Sequence, residues 1–139
     1  MRPLLSLCFF TLLVCATAIG THAQAPLPAV FINEIHYDNS GTDTGEFIEI
    51  AGPSGTPLAG YSVVLYNGAN GQTYDTDALS GTIPNQQNGF GTVFLPYPTD
   101  GIQNGSPDAI ALVQGTTVIQ FLSYEGIVTA VNGPANGMT

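Results

Sequence analysis

Glycine and proline punctuate this chain so densely that little room is left for a helix. The sequence holds 17 Gly and 10 Pro among 139 residues. Beyond the apolar opening segment, no long stretch keeps the repeat of roughly 3.6 residues that an amphipathic helix needs. Between the breakers lie short runs rich in Val, Ile, Phe, Tyr and Leu, which suit a pleated, half-buried surface. Residues 30–37 and 46–50 are the first two, parted by the polar loop 38–45. Residues 61–66, YSVVLY, make a third and end in Asn67-Gly68 and Asn70-Gly71, a strong hairpin signal. The polar run 72–76 is expected to pair back as an edge strand, 79–83 to form a weak strand, and 84–89 to be a loop. Residues 90–95, FGTVFL, read as a strand bent near its glycine. After the connection 96–107, residues 109–113 and 117–124 form the clearest hairpin, joined across Gln114-Gly115. Seven or eight short strands predict an all-β fold, an antiparallel β-sandwich of immunoglobulin type. The Cys–Trp–Cys signature of antibody domains is absent, so the expectation concerns architecture alone.

The opening residues carry an address. Arg2 precedes an apolar run over 4–19, and Thr21-His22-Ala23 offers small residues where a signal peptidase reads. Cleavage after Ala23 is therefore expected; Ala23-Gln24-Ala25 also fits, with Pro26 against it. The chain divides into a signal peptide (1–23), a lead-in (24–29), a sandwich domain (30–126) and a linker or truncated end (127–139). The expected location is secreted, or extracellular, with no membrane span after signal cleavage, since no second apolar run has the length to cross a bilayer.

Export would change the chemistry that remains. Cys8, Cys15 and Arg2, the only basic side chain, leave with the signal, so ten acids face no Lys or Arg. Nucleic acids and anionic membranes are held by Lys and Arg, so direct nucleic-acid binding by this segment is not expected. The partners left open are a protein or carbohydrate surface, or a C-terminal catalytic domain in cis. His36 is the one imidazole of the mature chain. Nucleophilic catalysis needs a nucleophile with an adjacent base, and no G-x-S-x-G or H-E-x-x-H motif occurs. No catalytic or cofactor-binding residue is expected.

Acids crowd the first loop. Asp38, Ser40, Thr42, Thr44, Glu46 and Glu49 fall at the ligand positions 1, 3, 5, 7, 9 and 12 of a calcium-loop template, but Asp43 stands where that template requires glycine. A different, structural Ca²⁺ site built from Asp38, Asp43, Glu46, Asp75 and Asp77 is the metal candidate, weighed against plain solvation of the same carboxylates. Glu46 and Glu49 have opposite parity along their strand and point to opposite faces. The inward one would need backbone N–H donors. Asn104-Gly105-Ser106 matches a glycosylation sequon followed by Pro107.

Taken together, several segments resemble the lamin-tail domain family in its bacterial, secreted form. They are the Ile32-Asn33-Glu34-Ile35 opening, Gly45 to Ile50 (GEFIEI), Leu58-Ala59-Gly60-Tyr61, and Asp108 with 109–113. The resemblance spans roughly residues 30–126. It implies an immunoglobulin-like sandwich without catalytic residues of its own. This version is similar to the leader domain of extracellular nucleases, which carry a separate metal-dependent endonuclease/exonuclease/phosphatase domain. Related domains also precede surface proteases and adhesins. Nuclease activity is thus an expectation about a longer parent, and none of that domain's motifs is matched here.

Overall fold

The computed structural model describes residues 28–105 and 107–139. The expected signal peptide and its cleavage point lie outside the described residues. Seven strands form: β1 (Phe31–His36), β2 (Phe47–Pro53), β3 (Tyr61–Asn67), β4 (Gln72–Ala78), β5 (Phe90–Pro96), β6 (Asp108–Gln114) and β7 (Thr117–Tyr124). They make two antiparallel sheets, β1-β2-β5 and β4-β3-β6-β7. No helix occurs among the described residues. The expected all-β sandwich is what the chain adopts. The run 79–83 does not become a strand. Gly81, at positive φ, interrupts it and Pro84 follows it, and its backbone bonds to residues 55–61 include one bridge, Pro57 to Thr82, and the Ile83 N–H bond to the Thr56 carbonyl.

Alternation decides what each strand buries. On β2, Ile48 and Ile50 are fully buried while Phe47 and Glu49 turn outward. Ile48, Ile50 and Ile32 meet Val63, Leu65, Ile110 and Leu112 of the other sheet, with Leu58, Leu79, Ile83 and Ile102 sealing the ends. A sheet clad on one face only would alternate apolar with polar residues. Strands β3 and β6 do not: Val63 to Tyr66 and Ala109 to Val113 are buried without a break. The outward side chains of these strands, Val64, Tyr66, Ala109, Ala111 and Val113, pack under Val128, Ala130 and Ala135.

Residues 127–139, read above as a linker or truncated end, are therefore seated on the back of the four-stranded sheet. Val131 N–H bonds the Gly71 carbonyl, Gly137 N–H the Ala130 carbonyl, and Ala130 N–H the Met138 carbonyl. Ala135 N–H donates to the buried Tyr66 hydroxyl at 3.0 Å. The other sheet has no such cover from the described residues.

Candidate functional site

The acids of the first loop act as staples. Glu46, 1% exposed, accepts Gly101 N–H at 2.7 Å on Oε2 and Ile102 N–H at 3.1 Å on Oε1. It lies one residue before β2 with the inward parity of Ile48 and Ile50, and its donors are backbone amides as expected. Asp43, also buried, accepts Asn39 N–H on Oδ1 and the Asn104 amide on Oδ2, both at 2.6 Å. Its own N–H donates to Asp100 Oδ1, while Asp100 N–H donates to the Asp43 carbonyl. The loop before β2 is thereby tied to the connection before β6.

The other calcium candidates lie elsewhere. Asp38 is exposed on that same loop. Asp75 and Asp77 stand on β4 in the opposite sheet. Asp75 accepts Thr76 N–H at 2.8 Å, and Asp77 accepts the Tyr97 hydroxyl at 2.8 Å. Burial, aided by Asp77, raises the Tyr97 hydroxyl above the ordinary phenol range. Among the described residues no three His, Cys, Asp or Glu side chains converge as a metal centre would require. His36 is equally committed. Its Nδ1 lies 3.1 Å from the Gly45 carbonyl and its Nε2 3.3 Å from the Asn39 amide nitrogen. The Nδ1-protonated tautomer satisfies both, and that assignment follows from the hydrogen-bond network.

A third buried acid, Asp108, stands out in the sequence only as part of the family resemblance. Asp108, 2% exposed, accepts Gly68 N–H at 2.9 Å on Oδ1. Among the described residues its Oδ2 has no hydrogen-bond partner. Burial raises its pKa, the Gly68 N–H pulls it back, and the charge of Glu125 pushes it up further. Nearby, Tyr124 donates to the Gln103 carbonyl at 2.6 Å and Gln103 N–H donates to the Tyr74 hydroxyl at 3.0 Å.

The outer face of the β1-β2-β5 sheet is different in kind. Parity places Phe47, Glu49 and Ala51 of β2 beside Pro96, Phe94 and Thr92 of β5. Phe90 is 60% exposed and Phe94 55%. The Phe47 and Phe94 rings lie 4.5 Å apart, and His36 meets Phe47 edge-on at 5.6 Å. Exposing two phenyl rings on one strand forgoes their burial, which is worth roughly 1.5–3 kcal/mol each. Their spacing was visible in the sequence: Phe90 and Phe94 share one parity, Val93 and Leu95 the other. That pattern is of a strand apolar on both faces.

At the Phe90 end the face dips into a hollow of about 420 Å³, lined by Phe31, Ala51, Gly52, Phe90, Gly91, Thr92 and the loop 86–88. The loop is a tight hairpin. Asn88 and Gly89 both take positive φ, 49° and 84°, as a type I′ turn demands. Gln87 and Phe90 exchange both backbone hydrogen bonds, and Gln86 Oε1 accepts Thr92 N–H at 2.6 Å. No lining side chain is ionisable.

Comparison with protein-family models, characterised proteins and solved structures gave no significant match.

Proposed function

We propose that this chain is an exported, non-catalytic β-sandwich module that holds a surface or a neighbouring domain through the bare outer face of its three-stranded sheet. The carrying observation is the contrast between the two sheets. Residues 127–139 cover the back of one, whereas the other presents Phe90 and Phe94 to solvent. Contiguous exposed apolar surface rimmed by polar groups marks interaction sites. The non-catalytic part is supported by the same geometry. His36 spends both nitrogens on the fold, and Glu46 and Asp43 spend both carboxylate oxygens.

The parent we infer is a larger secreted hydrolase with this module at its front. The residue resemblance to lamin-tail domains supports a second reading, the N-terminal fragment of an extracellular metal-dependent nuclease. An in-frame genomic continuation past Thr139 carrying His, Asp and Asn nuclease motifs would favour that reading.

The test of the module itself compares wild type with the double variant Phe90→Ala/Phe94→Ala. Both rings are more than half exposed, so the variant keeps its urea midpoint. Its adsorption to polysaccharide and basic-protein surfaces should fall sharply. Equal adsorption by both proteins on every surface would remove the face from consideration. Cleavage of plasmid DNA by the purified chain with Mg²⁺ or Ca²⁺ would overturn the non-catalytic assignment.

A further inference from the structure

We infer that the hollow beside Phe90 binds a neutral pyranose unit of a polysaccharide; this rests on the aromatic face being the working surface. Its volume of about 420 Å³ falls within the range of small-ligand sites, roughly 300–1,000 Å³. Two kinds of group line it. Phe31 and Phe90 offer phenyl surface, Gln87 and Asn88 offer primary amides, and Gln86 offers its amide N–H, its oxygen being held by Thr92. A pyranose ring matches both at once. It has one face of C–H bonds for an aromatic ring, and hydroxyls around its edge that donate to and accept from amides.

Other chemistries fit worse. A polyanion meets a chain whose described residues hold ten acids and no Lys or Arg. A basic peptide finds no carboxylate in the lining. A purely apolar ligand would strip water from the amides of Gln87 and Asn88 without replacing its hydrogen bonds, which is costly.

The site is also built in advance. The type I′ turn at Asn88-Gly89 and the paired Gln87–Phe90 bonds fix the amide-bearing loop over the hollow. Such preorganisation lowers the ordering cost of binding. Phe94 lies four residues further along the same face of β5, roughly 13 Å away at strand rise. A polysaccharide laid along β5 would meet it after leaving the hollow.

The experiment uses the full chain expressed with its own leader and purified after export. Native affinity gels are cast with xylan, hydroxyethylcellulose or galactomannan, with polygalacturonate as the anionic control. Cellulose and chitin pull-downs complement the gels. One neutral polysaccharide should retard the protein and polygalacturonate should not. Phe90→Ala and Gln87→Ala should each weaken binding about tenfold or more, while Phe90→Trp retains it. Urea midpoints of all variants verify folding. Absence of binding to every neutral polysaccharide, or binding that Phe90→Ala leaves unchanged, overturns the inference. If in that case the Phe90→Ala/Phe94→Ala variant still loses adsorption to a basic-protein surface, the binding-face proposal stands without the sugar. If it loses nothing, both fall.

Discussion

Glu46→Gln is the sharpest probe of how this acidic chain holds itself together. The wild-type carboxylate is 1% exposed and accepts two backbone N–H groups, from Gly101 at 2.7 Å and Ile102 at 3.1 Å. A glutamine has the same shape but a single acceptor oxygen. One of the two amides is met, and the other faces the glutamine NH₂, donor against donor. A hydrogen bond to a charged group is worth about 1.5–3 kcal/mol, and stranding a buried donor costs about 1–3 kcal/mol. Relief of the desolvated charge offsets part of this, leaving a loss of roughly 3 kcal/mol. Glu49→Gln is the control. That residue is on the outward face, bonded to the Asn33 amide at 2.7 Å in an exposed pair, and should lose under about 0.5 kcal/mol. Both variants remove one negative charge, so general repulsion cancels between them. With a urea m-value of about 1.5 kcal/mol/M, the Glu46→Gln midpoint should drop by roughly 2 M at unchanged m. A Glu46→Gln protein no less stable than Glu49→Gln would refute the idea that backbone amides, in place of cationic side chains, neutralise this acid.

Three further outcomes are expected. Asp108 has its pKa raised by burial, so its contribution is fully present below the ordinary aspartate range and is lost as pH rises through the raised native value. Wild type should therefore lose melting temperature relative to Asp108→Asn as pH rises from below the ordinary aspartate range through the raised native value, and a difference that stays flat refutes this. Tyr66→Phe removes the acceptor of Ala135 N–H and should cost about 1–3 kcal/mol, with faster exchange at the Ala135 amide; unchanged exchange would show that the covering segment is held by packing alone. Gly91→Ala would place its Cβ 1.9 Å from the Pro84 carbonyl oxygen, a clash with backbone that should cost about 1–3 kcal/mol or more. Gly115→Ala has open space but positive φ, 60°, and should cost about 1 kcal/mol, so a Gly91→Ala chain melting above it would contradict the placement of that loop.

Much of the sandwich was legible because strand burial leaves a period-two trace. Ile48 and Ile50 against Phe47 and Glu49 show it plainly, and the unbroken apolar runs of β3 and β6 mark strands enclosed on both faces. The cover over those strands was not legible. Val128, Ala130 and Ala135 sit among Gly, Asn and Pro with no repeat, and their apolar character has meaning only against β3 and β6. The acids misled for a related reason. With no Lys or Arg to pair them, they suggested ligands for an ion, whereas the donors to Glu46 are backbone amides 55 and 56 residues further along the chain. The hollow was half visible: Asn88-Gly89 and Phe90 are written side by side, but Phe31 joins them only through the pairing of β1 with β2 and β2 with β5.

The central pair of strands, β3 and β6, has neighbours on every side: a sheet partner along each edge, the core in front, and the chain's own closing segment behind. Amide deuterons there should be the last to wash out. The ring-bearing sheet is joined to the four-stranded one by side-chain packing and by the bond from Ile32 N–H to Gln120 Oε1, so its amides should exchange sooner than those of the slow centre while the domain as a whole stays folded.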